Sequence, residues 1–208
     1  VNYKIIIFLY NNTVKKTIMA EKMKRLKLLT LLAIAPLLVS CTQVISNPDI
    51  QKLNDRAVQL MNSGDVKGAI SRLESINDIN PNFAQIHYNL GIAYYKNQEF
   101  EKSINSLKRA IELDKNIADA YYTIAVNYQE LSMQVTELAA NPDKLKQYND
   151  SSEKKLSKDA IQEINKEYLT NAKDYFSQYI EKTKDEAEKE KISMQIESIN
   201  EELAKPQT

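Results

Sequence analysis

Cysteine, histidine and glycine are almost missing from this chain of 208 residues, which holds one, one and three of them. The lone cysteine, Cys41, cannot close an internal disulfide, so bridges say nothing about the redox compartment. His87 has no second histidine to join it and no cysteine after Cys41, so a zinc site would need an unusual carboxylate-rich ligand set. A glycine-rich phosphate loop, a serine elbow and an HExxH pair are all absent. Carboxylates are numerous, but they sit in runs typical of solvated helix faces. No enzyme, no cofactor and no metal is therefore expected. A basic stripe is missing too. Lys/Arg and Asp/Glu number 28 each over the chain, but seven Lys/Arg and only Glu21 fall in residues 1–40, which leaves the rest at −6. Phosphate backbones call for the opposite sign, so nucleic acid is not an expected partner. Scarce glycine with abundant Lys, Glu, Ala, Leu and Ile points to helices throughout, in a body from Cys41 onward that suits one ordinary domain.

What is present begins with Met23 to Gln43, MKRLKLLTLLAIAPLLVSCTQ. Lys24, Arg25 and Lys27 form a basic start, and Leu28 to Val39 is apolar except for Thr30. About twelve helical residues span roughly 18 Å, short of the roughly 30 Å of a hydrocarbon core, and Pro36 would interrupt a spanning helix. A basic segment, a short apolar run and the small Ser40 are the anatomy of a signal peptide, expected over 1–40. The residues Leu38-Val39-Ser40-Cys41 resemble the bacterial lipobox. That resemblance implies a diacylglycerol on the Cys41 sulfur, cleavage before Cys41 and acylation of its amine. Several acyl chains anchor stably where one is marginal, at about 0.8 kcal/mol per buried CH₂. The competing reading is a cysteine packed in an apolar helix. Residues 1–22 read as an over-extended start or as a long basic segment. Thr42 stands where an Asp would favour inner-membrane retention, so the expected place is the outer membrane of a bacterial envelope, facing the periplasm. The tether 41–49 is short: its eight residues after Cys41 reach about 26 Å when extended.

From Ile50 the chain repeats every 34 residues, with new copies at Ala84 and Ala118. Small residues recur at Ala57, Gly91 and Ala125, and large ones three places later at Leu60, Tyr94 and Tyr128. In the second half of each copy Ala69 and Ser103 are small, Leu73 and Leu107 are bulky, and Ile76 and Ala110 follow; Pro81 ends the first copy, where the second has Lys115. Arg56 stands where Leu90 and Ile124 stand in the others, so the first copy is imperfect. This pattern resembles the tetratricopeptide (TPR) repeat. Close helix crossings need the small residues, and larger side chains fill the volume beside them. One hairpin cannot bury its own apolar face, so the copies must stack. The expected fold is all-α, a TPR-like stack of antiparallel helix hairpins with an extended third hairpin and a C-terminal capping helix. Repeats one and two cover 50–83 and 84–117, and a third covers 118–183.

In that third copy the second helix arrives late. Leu131, Val135 and Leu138 continue the first helix until Asn141-Pro142, and a polar patch follows around residues 149–152. Helical spacing resumes through Leu156, Ile164, Tyr168, Ala172, Phe176 and Tyr179. We expect helices near 118–140 and 156–183 whose outer ends project as an arm; a long loop is the alternative. In the tail, 184–208, Ile192, Ile196, Ile199 and Leu203 make one apolar stripe. It suits a cap over the stack or a coiled coil with a second copy.

The resemblance also implies a concave face lined by first-helix residues. Mapped here, the partner-binding set is Asn54, Tyr88, Ile92, Tyr95, Lys96, Tyr122, Val126 and Gln129, with Asp119 and Glu130 on the same face. Tyrosines offer rigid apolar area with a polar tip, which suits a protein contact. Tyr88, Ile92, Tyr122 and Val126 occupy places where carboxylate-clamping relatives carry Lys, Arg or Asn, so a clamp on acidic C-termini is not expected. The expected function is a lipid-anchored adaptor or scaffold that binds a protein partner in the envelope and meets the membrane through its N-terminal lipid. A structural homo-oligomer joined by the arm or tail is the alternative, with a cell-wall enzyme behind it. His87 falls at a packing position.

Overall fold

The computed structural model describes residues 47–153 and 155–205, and every regular element among them is a helix. In order these are α1 (Asn47–Asn62), α2 (Val66–Ile79), α3 (Ala84–Lys96), α4 (Phe100–Leu113), α5 (Ala118–Ala140), α6 (Pro142–Ser151), α7 (Lys158–Lys182) and α8 (Glu186–Leu203). Several starts are capped by a side chain that takes an otherwise unsatisfied N–H. Asp65 accepts from the Gly68 N–H at 2.9 Å, Ser157 from that of Ala160 at 3.1 Å, and Asp185 from those of Ala187 and Glu188. The turn between α1 and α2 requires a left-handed residue and has Gly64 there, at φ 92°. One repeat later Gln98 takes the same conformation, at φ 61°. A residue with a Cβ costs roughly 1–2 kcal/mol there.

The 34-residue period is visible in the packing. Ala57, Gly91 and Ala125 are buried where paired helices cross, opposite Ala69, Ser103 and Ala172. A Cβ added to Gly91 would lie 2.4 Å from Leu107 Cγ, so this crossing has no room for one unless Leu107 moves. Leu73, Leu107 and Phe176 fill the next layer with no exposed surface, and Ile76, Ala110 and Tyr179 complete it. The partner of α5 is thus α7, whose Ala172, Phe176 and Tyr179 do for the third hairpin what α2 and α4 do for the first two. The extended hairpin and the stack are as the residue pattern predicts.

Each helix packs on its successor, except that α5 skips to α7 and α6 touches only α5. The backbones of α1 and α3, and of α3 and α5, also approach one another directly, whereas those of α2, α4 and α7 do not. The first-helix row is therefore the inner side of the curve. On the other side, a ladder of rings and lysines joins the third hairpin to the second. Tyr128 stacks on Tyr175 at 6.0 Å and meets Tyr168 at 6.1 Å. Lys108 Nζ donates to the Tyr128 hydroxyl at 3.0 Å, and Lys182 Nζ lies 4.6 Å from the centre of the Tyr121 ring. Cations over ring faces stabilise such contacts by about 0.5–2 kcal/mol.

Inside the stack runs a short polar chain. Ser103 Oγ donates to the Gly91 carbonyl at 2.7 Å and accepts from Asn127 Nδ2 at 3.0 Å, which ties α3, α4 and α5 together. Slipping either helix by one residue would leave these buried groups unpaired, so the chain fixes register.

Beyond Leu131 and Ile161 the third hairpin projects, as expected, but its tip differs from the sequence reading. Where a polar patch was expected after Asn141-Pro142, ten further residues form α6. Asn141 caps it by accepting the Lys144 N–H at 3.0 Å, and Pro142 takes the first turn, where a missing N–H costs nothing. No residue of α6 is buried. Its far end is held by Asn149, which both donates to and accepts from the Leu156 backbone.

The tail helix α8 touches only α7. Ile192 and Ile199 are buried there, with Ile196 and Leu203 half-buried, and Met194 faces out. The stripe that would join a coiled coil is thus already in use within the chain. No described helix is long and apolar enough to cross a membrane.

Candidate functional site

The inner face presents side chains of α1, α3 and α5. Tyr88, Ile92, Tyr95, Val126 and Gln129 are half-buried there, and Lys96 is exposed. Tyr95 packs 5.9 Å from Phe100, ring centre to ring centre. The surface also opens into a cleft of about 550 Å³ between α1 and the start of α3, lined by Gln51, Asp55, Val58, Gln85 and Asn89, with Asp114 at its edge.

Two members of the expected set have other work. Asn54 is only 2 % exposed, and its Oδ1 accepts from Asn89 Nδ2 at 2.8 Å. It pins α1 to α3 and does not offer its amide to a partner. Gln85 in turn donates to Asn89 Oδ1 at 3.2 Å, so these three amides satisfy one another. Tyr122 is half-buried because its ring lies 5.8 Å from Phe176 and 5.4 Å from Tyr179, both on α7. The displaced second helix of the third hairpin covers one side of it. Cys41 lies outside the described residues.

Asp119 and Glu130 lie on the face of the tyrosines. Burial, and then the Asp119 carboxylate, push the Tyr88 hydroxyl above its ordinary pKa of 10.0. Burial, then Glu130 and Tyr122, do the same to Tyr95. Both phenols therefore stay neutral at any physiological pH and act as hydrogen-bond donors on a face that carries negative charge.

His87 is 8 % exposed, and its Nε2 lies 2.8 Å from the Pro81 carbonyl, to which a ring N–H donates. It packs α3 on the preceding loop, as its repeat position predicts. Among the described residues no group of three or more His, Cys, Asp or Glu side chains is placed to hold a metal ion.

Residues 84–117 match the model of the tetratricopeptide repeat family. The NADPH oxidase activator of Dictyostelium discoideum is 34 % identical over 77 residues, which cover 37 % of this chain and 12 % of that protein. The BBSome complex member BBS4 homolog of Drosophila melanogaster is 29 % identical over 69 residues, 33 % of this chain and 14 % of that one. The matches thus span a small fraction of these relatives' length. Among solved structures, the type III secretion translocator chaperone SycD of Yersinia enterocolitica superposes with a TM-score of 0.56 at 12 % identity, over 79 % of this chain and 92 % of that one. The first TPR domain of Spaghetti (RPAP3), solved with the HSP90 peptide SRMEEVD, superposes with a TM-score of 0.53 at 15 % identity, over 79 % of this chain and all of that one. Residues 84–117 thus match one tetratricopeptide repeat, and the described helices stack as hairpins of the TPR-like fold.

Proposed function

We propose that this chain is a lipid-anchored adaptor of the bacterial cell envelope that holds a protein partner on the inner face of its repeats. The observation that carries the reading is the row of half-buried tyrosine and aliphatic side chains on α3 and α5, Tyr88, Ile92, Tyr95 and Val126, each of which keeps part of its surface open on the inner face. Two solved relatives of the fold support it: SycD has been solved with a peptide of the translocator YopD, and the RPAP3 domain with an HSP90 peptide. Anchoring rests on the lipobox-like Leu38-Val39-Ser40-Cys41. Only residues 42–46 separate Cys41 from α1, so a lipid there keeps the docking face near a bilayer. No catalytic step enters this function; its output is the position of the partner.

Alanine at both Tyr88 and Tyr95 removes two aromatic anchors, each of the kind that contributes about 2 kcal/mol or more to an interface. Recovery of the native partner from detergent-solubilised membranes is expected to fall at least about tenfold, with helicity by circular dichroism unchanged. Undiminished recovery would sink the docking face.

A further inference from the structure

We infer that the segment taken up by the inner face is positively charged, a peptide that presents lysine or arginine beside an apolar or aromatic side chain. This rests on the docking reading above and adds the chemistry of the ligand.

Charge is unequally distributed between the two sides of the stack. The outer helices α2, α4 and α7 together carry nine Lys/Arg against nine Asp/Glu, whereas the inner helices α1, α3 and α5 carry Lys52, Arg56 and Lys96 against Asp49, Asp55, Asp119, Glu130 and Glu137. Two acids on the outer side are paired, Glu99 with Lys102 and Glu112 with Arg109 at 3.0 Å. The inner side has Asp55 and Asp114 on the cleft and Asp119 and Glu130 on the face of the tyrosines, with Lys96 exposed at the end of α3. Asp55 takes the Gln51 amide and Asp114 the Asn116 N–H. The carboxylates of Asp119 and Glu130 make no hydrogen bond or ion pair among the described residues.

Each of these two carboxylates acts electrostatically on a ring hydroxyl, Asp119 on that of Tyr88 and Glu130 on that of Tyr95, and the four residues share the inner face of α3 and α5. A lysine or arginine stem lies well on an aromatic face while its charged head meets a carboxylate. An acidic peptide would instead bring like charge to a partly dehydrated surface, which costs affinity and slows encounter. The surface is thus opposite in sign to one that would clamp a peptide such as SRMEEVD.

The test uses the full chain in detergent micelles, immobilised and offered a random library of short displayed peptides. Enriched peptides are expected to carry net positive charge. Their affinity is expected to fall about tenfold when Asp119→Asn and Glu130→Gln are combined, to fall with added salt, and to be lost in Tyr88→Ala with Tyr95→Ala. The amide substitutions keep shape, and circular dichroism checks that each variant folds. Neutral or acidic peptides that still require the two tyrosines would overturn the charge assignment and leave the docking face standing. If no enriched peptide depends on the tyrosines, both fall.

Discussion

Replacing Phe176 with alanine is expected to destabilise the repeat domain by about 3–5 kcal/mol. Phe176 is among the largest side chains with no exposed surface. It sits on α7 in the layer that Leu73 and Leu107 fill in the first two hairpins, in contact with Tyr122 of α5. Truncation there leaves a cavity beneath the helix that carries both the third hairpin and α8. Domains of this size are stable by about 5–15 kcal/mol, so the loss takes a large share of the total. Phe176→Leu reproduces the residue of the other two hairpins and should cost less than about 2 kcal/mol. Urea midpoints for the three proteins check both values. An alanine variant within about 1 kcal/mol of the natural chain would show that α7 is not the helix that closes the third hairpin.

Cys41→Ser is expected to abolish incorporation of a clickable fatty acid entirely. On the proposed anchoring, a hydroxyl in place of the thiol removes the atom that would take the diacylglycerol, and the peptidase expected to follow would lack its lipid-bearing cysteine. The variant should therefore remain at its longer, unprocessed length. Each acyl chain buries many CH₂ groups at about 0.8 kcal/mol apiece, so the effect on anchoring is all or none. Label on the natural chain that survives the substitution, or no label on the natural chain, would remove the lipid from the account.

Most of the architecture was legible because helix crossings demand small residues at fixed places, and a 34-residue period repeats that demand at Ala57, Gly91 and Ala125. The displaced partner of α5 was legible for the same reason, since Ala172 and Phe176 keep the spacing of Ser103 and Leu107. Helix α6 escaped because Leu145 and Tyr148 are too few to make an apolar stripe, although Asn141-Pro142-Asp143 carries the start signal of a helix as clearly as the stop signal of α5. The site was less legible. Asn54 occupies a groove position by count, yet its amide is spent on Asn89, and a pair 35 residues apart leaves no mark in one sequence. Tyr122 occupies a groove position too, but the late arrival of α7 brings Phe176 and Tyr179 against its ring. The proposed surface is therefore smaller, centred on Tyr88, Ile92, Tyr95 and Val126, with Asp119 and Glu130 on the same face.

A partner is expected to dock on that surface and not on the outer helices. A photo-crosslinking side chain placed at Ile92, on the inner face, and separately at Asn105, exposed on α4, tests it in intact cells. A discrete protein adduct is expected from Ile92 that disappears in the Tyr88→Ala, Tyr95→Ala background, and none from Asn105. An adduct from Asn105 alone, or no adduct at Ile92, would contradict it.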